Sequence, residues 1–338
     1  MRGRVTMKEV AALAGVGLKT VSRVVNGEPG VSDDTAQRVQ NALHRLDYRH
    51  NLAASQLRRG HKTASIGVLL QDVSNSFSAG FLRAVEDAAQ ERGVVVLSAS
   101  LDESEDRERR LVQDFMSRRI DGLIVMPTNH DHSYLQNDMR AGVAVVLVDR
   151  PTFGLDADTV MVDNRGAAKR AVEHLLSQGH RSVAFIGDRQ TIVTAHERRL
   201  GYVDALADSG YPVDEALVRV GVRSAEEAAR ATVSLLAGDS PPTAIFAARN
   251  EITVGVAHAL RDLGLGHDIA VVGFDDFPLA DLLDPPITVV LQDVVGLGRT
   301  AAEMLFSRLD GDTSPTRRVI MPAVVAPRGS GEIPPRRC

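Results

Sequence analysis

Residues 6 to 25, TMKEVAALAGVGLKTVSRVV, constrain this chain more than any other stretch. Thr6 followed by Glu9 predicts a capping box, in which each residue satisfies a free backbone N–H of the other at a helix start. Val10, Leu13 and Ala14 then supply an apolar stripe, Gly15 breaks the period, and Leu18, Val21, Val24 and Val25 restart it on a second short helix. Helices of about two turns cannot bury a core alone, so a third is required. Ser32 as N-cap, Asp33 and Asp34 in the first turn, and Ala36, Val39, Leu43 and Leu46 along one face predict it. The second helix keeps Lys19, Thr20, Ser22, Arg23 and Asn26 outside this core, side chains suited to phosphates and base edges. The pattern reads as a helix-turn-helix, against the plainer alternative of a small helical bundle with a polar face.

Charge separates those readings. Residues 1 to 62 hold 11 Lys or Arg against 5 Asp or Glu, whereas the remainder holds 28 against 39. A basic head on an acidic body suits a nucleic-acid module joined to a domain that should not stick to the backbone. At 338 residues the chain exceeds one hydrophobic core, and two or three domains are expected. No apolar run approaches the ~18 residues of a membrane span, and the N-terminus lacks the pattern of a secretory signal. The single cysteine, Cys338, supports no internal disulfide, so a cytoplasmic location is expected. His130 and His132 sit in a polar loop without metal-ligand spacing; no metal and no cofactor are expected.

Lys8, Val10, Ala11, Ala14, Gly15, Val16, Thr20, Val21, Ser22, Arg23 and Asn26 also match the amino-terminal motif of the lactose/galactose repressor family of bacterial regulators. The resemblance runs through nearly the whole chain and implies several things. Residues 49–62 become a hinge helix ordered on operator DNA, in which Leu57 wedges into the minor groove of a bent duplex. Thr6 and Asn51 join the DNA-contact candidates. A homodimer on a palindromic operator with a central CG step is implied, since two-fold pairing doubles the contacts of a short recognition helix. Three positions depart from the pattern: Gly17 replaces the usual serine that opens the recognition helix, His50 the usual proline, and Ser55 a common arginine.

From Ser65 the grammar changes. SIGVLL, VVVLSAS, GLIVMP and VAVVLVD are short, β-branched-rich runs with little alternation, separated by helical segments near 79–92, 104–119 and 132–141. Strands apolar on both faces with helices between them indicate parallel sheets covered on both sides. A second round follows: strands at 182–187, 243–248 and 269–276, and helices near 196–209, 224–237 and 251–263. The expected fold is an all-α helix-turn-helix head (1–48), a hinge and linker (49–62) and a two-lobed α/β body (63–327). By resemblance that body is similar to periplasmic binding proteins, with lobe 1 near 63–162 and 293–320 and lobe 2 near 163–292 and 321–327. Residues 328–338, rich in Gly, Pro and Arg, read as a disordered tail.

In open α/β lobes, ligands sit beyond the carboxyl ends of the strands. The loops there offer Asp72, Asn75, Phe77, Asp149, Arg150, Arg198, Asn250 and Asp275, groups able to make paired hydrogen bonds to a small polyhydroxylated or heterocyclic ligand. Each has a plainer use. Asp72 could cap the next helix, Asp149 pair with Arg150, Asp275 fix a turn, and Arg198 lie on a solvated face. The resemblance favours Arg198, matching the arginine of the family's Arg-Leu-x-Gly-aromatic motif although Arg199 replaces the leucine, and Asp275, matching the first aspartate of Gly-Phe-Asp-Asp. Where sugar-binding members carry Asn-Asp this chain has Arg249-Asn250, and Ser78 replaces a second phenylalanine. Arg249 either faces the cleft and selects an anionic sugar phosphate or acid, or lies beside Glu251 as a surface charge, leaving a neutral sugar. An enzyme would need an activated nucleophile or a metal. No GxGxxG or GxxxxGK[ST] loop is present, and Asp149 with Asp275 is a weak case for an acid/base pair. A free solute-binding protein is disfavoured by the basic head.

Overall fold

The computed structural model describes residues 5–25, 28–48, 64–128, 131–151 and 153–336. Asn26, His130 and the whole expected hinge, with Asn51 and Leu57, lie outside the described residues. By contact, Met1–Thr63 and Ala64–Cys338 are separate compact units.

In the head, α1 (Met7–Ala14), α2 (Leu18–Val25) and α3 (Asp33–Arg45) form where the sequence places them. The capping box is present: Thr6 N–H donates to the Glu9 carboxylate at 2.6 Å, and Glu9 N–H donates to Thr6 Oγ1 at 3.4 Å. Gly15 closes α1 at φ +66°, a left-handed conformation open to glycine. Val10, Ala14, Val21, Val39 and Ala42 are the buried core, with Leu43 and Leu46 packed against it. Two expectations fail. Leu13 and Leu18 are 43% and 45% exposed, because two-turn helices against a single third helix cover only a narrow ridge and these two flank it. Ser32 occupies the N-cap position but bonds Thr35 Oγ1 at 3.0 Å instead of a backbone amide.

The body contains two six-stranded sheets. In chain order its elements begin β1 (Ser65–Leu70), α4 (Ser76–Glu91), β2 (Val95–Ser100), α5 (Glu105–Ser117), β3 (Gly122–Val125), α6 (Gln136–Arg140), β4 (Ala144–Val148) and β5 (Asp158–Val162). They continue with α7 (Asn164–Ser177), β6 (Val183–Ile186), α8 (Val193–Asp208), β7 (Val218–Arg219), α9 (Ala225–Leu236), β8 (Ala244–Ala247), α10 (Asn250–Asp262) and β9 (Ala270–Phe274). The last are β10 (Thr288–Gln292), α11 (Val294–Leu309), β11 (Arg318–Met321) and β12 (Ala323–Ala326). The first sheet, β11-β5-β4-β3-β1-β2, is parallel throughout; the second, β12-β10-β9-β8-β6-β7, has only β12 antiparallel. The chain therefore changes lobe three times: after β5, after β10, and between β11 and β12. α11 returns to pack on α4 and on β3, β4 and β5.

Central strands β3, β5, β8 and β9 are fully buried, as near-continuous apolar runs require. β2 departs from that expectation: it is a sheet edge, and Val95 is 59% exposed. In α8, Gly201 allows a close approach, since a Cβ there would lie 2.2 Å from the Arg165 carbonyl oxygen of α7. That approach sets Arg198 of α8 against Asn164 of α7.

Residues 328–336 correct the disordered-tail expectation. Arg328 forks onto Asp276 at 2.8 and 2.7 Å. Ser330 Oγ donates to the Val271 carbonyl at 2.6 Å and accepts from Thr288 N–H at 2.9 Å, and His180 Nε2 meets the Ile333 carbonyl at 2.8 Å. Glycine and proline content suggests disorder, but buried polar partners in the second lobe decide the matter here. Among the described residues no helix is long and apolar enough to cross a membrane, and no acidic, His or Cys cluster could hold a metal ion.

Candidate functional site

The two lobes meet at equivalent strand ends. Asp149 follows β4 and Asp275 follows β9, at φ +72° and +70°. Aspartate tolerates this left-handed conformation better than most residues. In both cases the backbone N–H still bonds the neighbouring strand, Asp149 to Val160 at 2.8 Å and Asp275 to Val290 at 3.0 Å. The turn thus aims each side chain off the sheet and into the cleft.

Asp275 lies between Arg198, whose Nη1 is 3.4 Å from Oδ2, and the side-chain amide of Gln292, which donates to Oδ1. Arg198 also donates from Nε to Asn164 Oδ1 at 2.8 Å and from Nη1 to the Ala248 carbonyl at 2.9 Å, and its guanidinium stands 3.7 Å over the Phe274 ring. It is a buried cation, not the solvated face that remained open from sequence. Arg150 forks onto Glu103 at 3.0 and 2.5 Å and donates to the Pro127 carbonyl at 2.7 Å. Its Nε stays 4.0 Å from Asp149. No hydrogen bond from the described residues reaches the Asp149 carboxylate. Burial raises its pKa, while Arg150 and Arg198 oppose that shift.

At the mouth, Asn75 caps α4 by accepting from Phe77 N–H at 3.0 Å. It also exchanges amide hydrogen bonds with Asn250 of the other lobe, both at 3.1 Å, and Asn250 donates further to Ser76 Oγ at 3.1 Å. Asp72 does not cap the helix: its Oδ1 accepts from Ser74 N–H and Oγ at 2.8 and 2.7 Å. Arg249 takes neither course open from sequence alone. It lines the cleft, yet is held by Asp188 at 3.0 Å and by Glu251 at 2.9 Å.

All nine residues singled out from the sequence line this one cleft, which encloses about 90 Å³. Sequence reasoning passed over Gln71, Glu103, Asp188 and Gln292, which also line it. Asp188 had a signal, since it follows β6 as Asp149 follows β4; Gln292 sits on a crossover with no motif to mark it. Gln71 Oε1, Gln292 Oε1 and Arg150 Nε are buried without a hydrogen-bond partner, unusual for interior polar atoms. Five carboxylates (Asp72, Glu103, Asp149, Asp188, Asp275) face three guanidiniums (Arg150, Arg198, Arg249).

In the head, Lys19 of α2 is exposed while Thr20, Ser22 and Arg23 are half-buried along the same helix. Thr6 is occupied as a cap: its hydroxyl donates to Glu9 at 2.8 Å.

A capped three-helix head and a two-lobed body with a polar cleft define a class, the DNA-binding regulators that carry a small-molecule-binding domain. Residues 6–51 match the family model of bacterial regulatory proteins, lacI family, and residues 172–331 that of the periplasmic binding protein-like domain. Catabolite control protein A of Priestia megaterium is 32% identical over 94% of this chain and 96% of its own length. The HTH-type transcriptional regulator CelR of Thermobifida fusca is 33% identical over 98% and 99%. Among solved structures, a transcriptional regulator CelR–cellobiose complex superposes with a TM-score of 0.71 at 31% identity, covering 97% of this chain and all of that one. The lac repressor dimer bound to operator and the anti-inducer ONPF does so with 0.82 at 26%, covering 97% and 99%. The chain belongs to the LacI family of transcriptional regulators and binds DNA through its helix-turn-helix head.

Proposed function

We propose that this regulator is a cytoplasmic repressor that sits as a homodimer on a palindromic operator and responds to a small sugar-class effector in the cleft between its lobes. The reading is of a binding protein, not a catalyst. Lys19, Thr20, Ser22, Arg23 and Asn26 would read the major groove, and Asn51 and Leu57 the minor groove. Asp149, Arg150, Arg198, Asp275 and Gln292 would hold the effector. One observation carries the sugar-class reading: residues with unpartnered buried donor and acceptor atoms line one cleft, beside an Asp149 carboxylate that no hydrogen bond from the described residues reaches. Alternating hydroxyls, each both donor and acceptor, would satisfy that set. The cellobiose bound by the related CelR supports the same class.

Control follows from the cleft's position. Asn75 and Asn250 join the lobes directly, so a ligand that replaces or reinforces that bridge binds the two lobe arrangements unequally, the condition for shifting their populations. Calorimetric titration of the full chain with a panel of mono- and disaccharides tests the reading. Saturable binding abolished by Asp275→Ala is expected; a panel without a binder refutes the sugar class. Sedimentation as a monomer at micromolar concentration refutes the homodimer.

A further inference from the structure

We propose that Asp188 fixes the charge class of the effector: it occupies the position of an anion beside Arg249 and thereby restricts the cleft to uncharged ligands. This rests on the sugar-class reading above and narrows it. Arg249, which follows β8 and precedes α10, is 29% exposed at its side chain against 9% for Arg150 and Arg198, and alone it would make an anion-binding corner. It is not alone. Asp188, 10% exposed at its side chain, places Oδ2 3.0 Å from Arg249 Nη1, and its Oδ1 accepts from Arg189 N–H at 2.6 Å. The Arg189 side chain does not line the cleft; its Nε stands 4.0 Å from Oδ1.

The pairing extends round the site. Arg150 is taken by Glu103, Arg198 by Asp275, and Arg249 by Asp188 with Glu251 behind it. Among the described residues, Asp72 and Asp149 remain as carboxylates without a guanidinium within hydrogen-bond distance. Among the described residues, a phosphate or carboxylate entering this cleft therefore meets no guanidinium without a carboxylate partner and at least one buried carboxylate, an unfavourable exchange in a low-dielectric site. A neutral sugar meets acceptors for its hydroxyls. Asp188→Asn keeps the size of the side chain but removes the resident negative charge, leaving Arg249 held only from the outer side by Glu251, itself 37% exposed at its side chain. The variant cleft loses one negative charge and releases Arg249 Nη1, while Nη2 keeps Glu251 at 2.9 Å.

The test uses the full chain at constant ionic strength, titrated calorimetrically with glucose and glucose 6-phosphate, galactose and galactose 6-phosphate, cellobiose and cellobionate, and inorganic phosphate alone. For the wild type, each neutral sugar that binds should exceed its anionic partner by at least tenfold. Asp188→Asn should bind inorganic phosphate or the anionic partners at least tenfold more tightly than wild type, and Asp188→Asn with Arg249→Ala should lose that gain. A wild type that prefers the anionic partner overturns the proposal, and this arm holds even if the variant fails to fold. A folded Asp188→Asn without any gain in anion affinity overturns it as well. If no sugar binds wild type while Asp188→Asn still gains phosphate through Arg249, the charge assignment of Asp188 stands and the sugar-class reading falls.

Discussion

Arg198→Ala provides a stringent test of the cleft's internal logic. The Arg198 and Asp275 side chains are only 9% and 10% exposed. Deleting the cation leaves Asp275 buried with the Gln292 amide as its remaining partner. Breaking a buried pair from one side costs about 3–5 kcal/mol, because the surviving charge is uncompensated. The Ala248 carbonyl and Asn164 Oδ1 also lose their donor, and Phe274 loses the stacked guanidinium. For a unit of this size each kcal/mol moves the midpoint by about 2–4 °C, so the melting of the body should fall by about 6–20 °C. Differential scanning calorimetry of the full chain would record it, with the head's transition as internal reference. Arg198→Met combined with Asp275→Asn should recover at least half of the loss, since no lone charge remains, without recovering effector binding. A shift of less than about 2 °C for Arg198→Ala, or a double variant no more stable than the single one, would refute the reasoning.

Three further outcomes follow. Leu18→Ala should lower operator affinity roughly three- to tenfold in an anisotropy titration, because Leu18 is 45% exposed at the start of the recognition helix, and apolar side chains there pack on thymine methyls in the major groove; its melting temperature should not change. Ending the chain after Pro327 should lower the body's melting point by more than about 5 °C, because the Thr288 N–H and Val271 carbonyl lose Ser330 and each orphaned group costs about 1–3 kcal/mol; an unchanged melting point would return residues 328–336 to a dispensable tail. The third concerns pH. Burial raises the Asp149 pKa against the pull of Arg150 and Arg198, so acidification should weaken neutral-sugar binding at a pH above the ~3.9 of a free aspartate, and Asp149→Asn should flatten that profile in calorimetry. The sign for folding is opposite: a raised folded-state pKa contributes stability below the unfolded pKa that fades as pH rises through the folded value.

The head was legible almost to the residue because its signals are local. The capping box, Gly15 and the spacing of Val10, Val21 and Val39 each fix backbone or burial within a few positions. Leu13 and Leu18 escape the sequence pattern because exposure on a two-turn helix depends on how much of it the third helix covers. In the body, the buried strands were read from apolar runs, whereas β2 carries a similar run at an edge. Short or interrupted segments such as β7 and β12 offer no period to count, and α7 buries small residues, Ala167, Ala168 and Ala171, that make a weak apolar stripe. Strand-end loops led to nine cleft residues. What they could not reveal was pairing: that Arg249 answers Asp188 and that Asn75 answers Asn250 depends on long-range register, 61 and 175 residues apart in sequence.

The most direct test of the account is operator affinity with and without the sugar that binds the cleft. Full-length protein would be titrated by fluorescence anisotropy against a duplex selected from random DNA, at fixed salt. The expected result is a palindromic selected site, a specific Kd of about 10⁻⁸ to 10⁻¹¹ M, and a change of about 5- to 150-fold on saturation with sugar, abolished by Asp275→Ala. A ligand that demonstrably fills the cleft yet leaves the operator Kd unchanged would contradict it.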